Sequence, residues 1–166
     1  VLGAILAELG TKGRLIMLGS GDVQLEHSMR QHMARYGNFL FLRGYSETLA
    51  EPLYQAGDLF LMPSSFEPCG ISQMLAMRAA QPCLVHAVGG LADTVRDGEN
   101  GFTFSGTDLA SQSTALVRRF RSVLRLLRED PDAWQRVRRA AAASRFTWDA
   151  AAQQYLTQLY SESSPV

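Results

Sequence analysis

The stretch Phe66-Glu67-Pro68-Cys69-Gly70 holds the residues of this chain best suited to chemistry. It lies between an apolar run, Leu59–Met62, and a helical pattern carrying Ile71, Met74, Leu75 and Met77, so it reads as a strand-to-helix junction. A helix start supplies free backbone N–H groups and a partial positive charge, which suit a phosphate. Gly70 lets backbone approach a ligand closely, and Ser72 adds a hydroxyl in the first turn. Glu67 has two readings at this level: an acid that complements the helix dipole, or the working carboxylate of an active site.

Three more glycine-bearing turns follow predicted strands: Leu18-Gly19-Ser20-Gly21-Asp22, Arg43-Gly44-Tyr45-Ser46-Glu47 and Val88-Gly89-Gly90-Leu91-Ala92-Asp93. Each alone is explained by the steric demands of a tight βα turn. Four on one sheet edge favour a ligand that carries phosphate. Tyr45 is either a half-buried packing aromatic or a ring projecting near that edge. Other chemistries fit poorly. Gly10-Thr11-Lys12-Gly13 lacks the phosphate-loop spacing and precedes a strand. His27 and His32 do not share a helix face for a metal, and His86 has no Cys or Asp partner in sequence. Gly19-Ser20-Gly21 is not a nucleophile elbow.

The elements that must position these residues alternate. Strands are expected at Arg14–Leu18, Asn38–Leu42, Leu59–Met62, Cys83–His86 and Gly101–Phe104, with helices near 2–9, 22–36, 47–56 and 71–80. In 22–36 the residues Leu25, Met29, Met33 and Tyr36 recur at helical spacing and predict a buried stripe. The strands are continuously apolar, as expected when helices cover both sheet faces. This alternation predicts one parallel α/β sheet with right-handed crossovers and a ligand at its carboxyl edge. Beyond Gly106 only helices are expected, at about 108–128, 131–144 and 147–160, with caps at Asp130 and Thr147. Arg118, Arg121, Arg125 and Arg128 form a stripe best read as a solvated face, and the final SESSPV reads as a disordered tail.

Composition sets the outer bounds. A chain of 166 residues is long enough for one domain with a proper core. Its 16 basic and 16 acidic residues balance, so no net field draws it to nucleic acid or an anionic membrane. No run is long and apolar enough to span a bilayer. Cys69 and Cys83 make no metal-ligand spacing and read as free thiols of a reducing compartment.

Pro63-Ser64-Ser65-Phe66-Glu67-Pro68-Cys69-Gly70, with Gln73 beyond it and Gly89-Gly90-Leu91-Ala92-Asp93-Thr94-Val95 further on, closely resembles the C-terminal domain of bacterial glycogen synthases and plant starch synthases. Gly19–Asp22, Gly44-Tyr45, Asn100–Phe104 and Phe146-Thr147-Trp148 extend the likeness from about residue 2 to 160. The resemblance implies the nucleotide-sugar half of a two-Rossmann-domain (GT-B) enzyme, occupying residues 1–160 before a tail at 161–166. That enzyme transfers glucose from ADP-glucose to the non-reducing end of an α-1,4-glucan with retention. It implies no metal and no cofactor, a nucleotide-sugar donor as partner, and an acceptor glucan held by an N-terminal domain outside this chain. By the same resemblance Glu67 is the essential acid that contacts the donor sugar hydroxyls. Cys69, Gly70, Ile71 and Ser72 hold diphosphate and glucose, Tyr45 packs on the adenine, and the turns of Gly19, Gly21, Gly89 and Gly90 complete the donor site. The location implied is the cytoplasm, or the plastid in a plant.

Three departures from the family pattern stand out. Leu75 occupies a position where related transferases often carry a second Glu, and His86-Ala87-Val88 replaces a frequent Arg-Arg-Thr. Lys12-Gly13 follows the first helix and is not the family's phosphate clamp, which belongs before residue 1. The 166 residues alone are therefore expected not to transfer glucose. Trp148, Tyr155, Leu156 and Tyr160 are expected to be exposed and to favour self-association. A UDP-sugar-dependent transferase of the same architecture and a non-catalytic nucleotide-sugar-binding domain remain as alternatives.

Overall fold

The structure is a computed structural model and describes residues 1–160; the tail expected at 161–166 lies outside the described residues. Five strands alternate with helices: α1 (Leu2–Leu9), β1 (Leu15–Gly19), α2 (Val23–Arg35), β2 (Phe39–Arg43), α3 (Glu47–Ala56), β3 (Phe60–Met62), α4 (Ser72–Arg78), β4 (Cys83–His86), α5 (Gly89–Thr94) and β5 (Gly101–Phe104). Three helices follow, α6 (Leu109–Glu129), α7 (Pro131–Ala143) and α8 (Trp148–Gln158). Every expected strand is present within a residue of its expected bounds. The Gly89–Asp93 segment, read from sequence as a turn, is instead the start of the short helix α5.

Polar residues at the expected boundaries start α2, α3, α7 and α8. Asp22 accepts from the Gln24 and Leu25 amides, Ser46 from Leu49, Asp130 from Ala133 with Pro131 behind it, and Thr147 from Ala150. A helix cap of this kind typically contributes about 1 kcal/mol. Asp108 and Ser111 form a reciprocal capping box at α6. Asp108 accepts both the backbone and side-chain hydrogen bonds of Ser111, which hold its carboxyl below the usual range.

All strand pairs are parallel, but the strands form two ladders and not one. β1 pairs with β2, and β3–β4–β5 form a separate sheet with β4 in the middle. The single continuous sheet expected from the alternation is thus interrupted between β1 and β3. Periodicity reports that strands and helices alternate; it carries no information on which strands are neighbours.

Side chains alternate across β4. Leu84 faces the larger core, with Leu6 of α1, Phe39 of β2, Phe102 of β5, Phe120 of α6 and Trp134 of α7. Cys83 and Val85 face the second core, with Met77 of α4, Leu91 of α5 and Ala141 of α7. Phe102 and Trp134 stack with ring centroids 5.9 Å apart. Met29 and Met33 of α2 and its C-cap residue Tyr36 pack against the larger core as their spacing requires, whereas Leu25 in the first turn is exposed. α8 and the two residues beyond it leave Trp148, Tyr155, Leu156 and Tyr160 exposed, as expected.

Candidate functional site

The loop after β3 is held by backbone contacts that only glycine permits. Gly90 N–H donates to the Glu67 carbonyl at 3.1 Å. A Cβ on Gly89 would lie 2.1 Å from that same carbonyl oxygen, and one on Gly90 would lie 2.0 Å from the Cys69 carbonyl oxygen. Gly89 also has φ +45, in the left-handed region. The start of α5 is therefore pressed directly against residues 67–69. Two glycines follow Val88 because they seat the acidic loop, and the Gly90 amide is spent on it.

Gln73 completes the lock from below. It is fully buried in α4, and its Nε2 donates to the Gly70 carbonyl at 2.7 Å, the Cys69 carbonyl at 3.2 Å and Thr94 Oγ1 at 3.2 Å. Thr94 in turn donates to the Gly90 carbonyl at 2.6 Å. Gly70 has φ +73, and a Cβ there would meet Gln73 Oε1 at 2.5 Å. Gln73 and Thr94 belong to the motifs that carry the family resemblance, but sequence reasoning assigns neither a site role, because their contact with each other and with the loop depends on tertiary packing. His86 has the same kind of task. It is buried, stacks on Phe104, and its Nδ1–H donates to the Ser64 carbonyl at 2.9 Å, which ties the exit of β3 to β4.

Glu67 itself is left free by this arrangement. Its backbone is clamped, its side chain is half-buried, and its carboxylate makes no hydrogen bond or ion pair with any described residue. A carboxylate whose only role was to cap a helix would accept an amide of the first turn, and Glu67 does not; α4 begins without a side-chain cap. Cys69 is exposed, and so is Ile71. Cys83 is buried, and burial pushes its thiol up, so it is an inert core residue.

A second group of residues lines one cavity of about 340 Å³ at the carboxyl ends of the strands. Leu18, Gly19 and Ser20 come from the end of β1, and Gly44, Tyr45 and Ser46 from the end of β2. Ala50 and Tyr54 of α3 and Ser72 of α4 close it. The fold thus brings Gly19, Tyr45 and Ser72 together from three separate turns. A Cβ at Gly19 or Gly21 would meet nothing within 4 Å, and neither residue has a positive φ. Nothing inside the described chain requires glycine at those two positions, in contrast to Gly70, Gly89 and Gly90.

Tyr45 is 85% exposed, so the packing reading of this ring is wrong. Its hydroxyl donates to Glu47 at 2.8 Å, and that hydrogen bond raises its pKa. Gly21 lies outside the group that lines the cavity and donates its N–H to Glu26 at 3.1 Å. Glu26 is buried and pairs with Arg43 at 2.6 Å, which ties the turn after β1 to the end of β2. Among the described residues no three His, Cys, Asp or Glu side chains cluster closely enough to hold a metal ion.

Residues 1–122 match the family described as glycosyl transferases group 1. The chain is 40% identical over 149 residues to a glycogen synthase of Desulfitobacterium hafniense, a match covering 86% of this chain and 31% of that protein. A glycogen synthase of Streptococcus pneumoniae is 40% identical over 152 residues, covering 89% of this chain and 32% of its own length. The chain therefore spans about a third of the curated relatives it matches. Among solved structures, the catalytic domain of starch synthase IV from Arabidopsis thaliana, bound to ADP and acarbose, superposes with a TM-score of 0.76 at 32% identity, over 94% of this chain and 34% of that one. HepE of Anabaena in complex with UDP-glucose shares the fold, with a TM-score of 0.69 at 23% identity over 96% of this chain and 45% of its own. With parallel α/β halves, a glycine-seated acidic loop and this match across most of its length, the chain belongs to the group 1 glycosyl transferases.

Proposed function

We propose that this chain is the donor-side domain of a glucan synthase that transfers glucose from ADP-glucose to the non-reducing end of an α-1,4-glucan with retention. The observation that carries the reading is Glu67: a carboxylate on a rigid, glycine-locked loop, with no partner of its own among the described residues. A rigid loop fixes where the charge sits before a substrate arrives, which is how preorganised groups lower a barrier. In this reading Glu67 accepts hydrogen bonds from the donor glucose hydroxyls and orients the sugar as its bond to the diphosphate lengthens. The Ser72 hydroxyl and the amides at the start of α4 face the growing negative charge of the departing nucleotide. Gly19 leaves room for the nucleotide to lie against backbone, and the exposed Tyr45 ring offers a flat face to the adenine.

The 40% identity to glycogen synthases supports a glucan product, and the ADP-bound starch synthase supports an adenine nucleotide. No metal is assigned a step. The acceptor glucan is assigned to a part of the longer protein outside these residues, so the 166 residues alone are expected to show no glucan elongation. The test is Glu67→Gln in the full-length protein, assayed for glucose transfer with ADP-glucose and UDP-glucose in parallel. The expected result is a loss of turnover by at least about 100-fold with the folded state intact, and faster turnover with ADP-glucose in the parent. Unchanged turnover in the variant would remove Glu67 from the mechanism, and preference for UDP-glucose would replace the assigned donor.

A further inference from the structure

The arginines of α6 do not form one solvated stripe. Arg121 pairs with Glu8 of α1, and Arg128 donates to the Leu9 carbonyl at 3.5 Å. Arg118 instead lines a second cavity, of about 430 Å³, between α6 and the end of β5. A volume of this order suits a small molecule. The cavity shares no residue with the one between β1, β2 and α4.

Helical spacing builds one wall of it. Ala115, Arg118, Arg119 and Ser122 fall at i, i+3, i+4 and i+7, so they share one face of α6. Thr103 and Ser105 line the same space from the end of β5. They stand two apart, and an extended chain turns such residues to one side.

The two cations of this wall differ in freedom. Arg119 is fixed before any ligand arrives: it pairs with Asp97 at 2.5 Å, and its guanidinium carbon lies 5.4 Å from the centroid of the Phe102 ring. Its Nε is buried and makes no hydrogen bond with any described residue. A buried donor without an acceptor is costly, and this one stands beside a cavity. Arg118 is exposed and has no partner among the described residues. The hydroxyls of Thr103, Ser105 and Ser122 are equally unengaged. No carboxylate is among the lining residues, so Asp97 offsets one of the two positive charges and the other is left over.

Guanidinium groups present planar N–H donors that match phosphate oxygens. Hydroxyls donate and accept, and so suit an alcohol. An added peptide strand does not fit here, because the turn at Asp97 and Gly98 already covers the outer edge of β5. Thr103 N–H donates to the Asp97 carboxylate at 2.8 Å, and Gly98 N–H donates to the Gly101 carbonyl at 2.8 Å. From this geometry we infer that the cavity between α6 and the end of β5 is a second ligand site, which takes a sugar-sized phosphate monoester. Arg118 and Arg119 hold the phosphate, and Thr103, Ser105 and Ser122 meet the hydroxyls of the sugar. The inference rests on the cavity's own residues and does not depend on the donor chemistry.

Titration calorimetry on the full-length protein tests it, with fructose 6-phosphate, fructose, inorganic phosphate and polyglutamate as separate probes. Fructose 6-phosphate is expected to bind at least about tenfold more tightly than fructose or inorganic phosphate. Arg118→Ala and Ser122→Glu are each expected to weaken that binding about tenfold or more. Both positions are exposed on a long helix, so an unchanged Tm is expected to show the fold intact. Ser72→Glu places the same charge in the other cavity and is expected to leave fructose 6-phosphate binding unchanged. Absence of binding, or binding that neither α6 variant weakens, overturns the inference. Loss in Ser72→Glu with retention in Ser122→Glu assigns the phosphate to the nucleotide cavity and overturns it as well. Inorganic phosphate binding as tightly as the sugar phosphate overturns the ligand class. Polyglutamate binding that fructose 6-phosphate cannot displace makes the cavity a site for an acidic peptide and overturns it too.

Discussion

The two ladders of this chain are made of similar residues and reach different degrees of order. In β3–β4–β5 the central strand is buried at all four positions, and its neighbours carry a loop clamped by backbone contacts on two sides. In β1–β2 the apolar Ile16, Met17 and Leu40 are exposed, and the turns beyond hold Gly19 and Tyr45 in open space. The difference is not one of composition, since RLIML and FLFLR are as apolar as CLVH. It comes from what lies beside each strand. The ladder that carries the candidate catalytic acid is preorganised by its own residues, while β1 of the other ladder pairs with a described strand on one edge only.

The strongest way to break the ordered half is Gly90→Ala. Its methyl group would sit against the Cys69 carbonyl, which is backbone and cannot swing aside. We expect a loss of about 4 kcal/mol or more, read by denaturant unfolding of the 166-residue chain. A paired truncation then compares the halves directly. Leu84→Ala, at a fully buried site, is expected to cost about 3 kcal/mol, whereas Ile16→Ala on the open strand costs less than about 1 kcal/mol in the same chain. Similar losses at the two positions would show that the halves do not differ as described.

The lock on the acidic loop offers a finer cut. Gln73→Leu removes the donor to three acceptors and is expected to cost about 2 kcal/mol and to lower kcat of the full-length protein more than it raises KM. Thr94→Val acts in the same direction, and Thr94→Ser, which keeps the hydroxyl, is expected to restore kcat. A variant pair that alters stability alone would make both residues merely structural.

The smallest expected effect lies outside the contrast and serves as its control. Glu8 of α1 pairs with Arg121 of α6 at 2.5 Å, and the hydrogen bonds from Arg121 lower the Glu8 pKa. A carboxyl lowered on folding contributes stability above its unfolded pKa and loses it as pH falls through the folded value. Arg121→Ala is therefore expected to destabilise slightly at neutral pH, and the difference from the parent should vanish in acid below the usual carboxylate range. A difference that persists there would mean that Arg121 acts through packing and not charge.

Much of this layout is legible in the amino-acid sequence alone. The apolar runs locate all five strands because burial on both faces leaves a mark that needs no neighbours to be seen. The polar caps locate the helix starts because a capping side chain acts on amides two or three residues away. The motif around Glu67, Cys69 and Gly70 points to a family because its side chains and glycines lie within a few residues of each other. What the sequence does not convey are relations between distant segments. That Gly89 and Gly90 serve residues 67–69, that Gln73 reaches Thr94, and that Glu26 joins Gly21 to Arg43 all depend on where the crossovers place the turns. The same is true of the gap between β1 and β3. Local pattern decides what each segment becomes, since its physics is short-ranged. Only the packed tertiary structure decides which edges meet, which are left open, and hence where the carboxylate of Glu67 stands free.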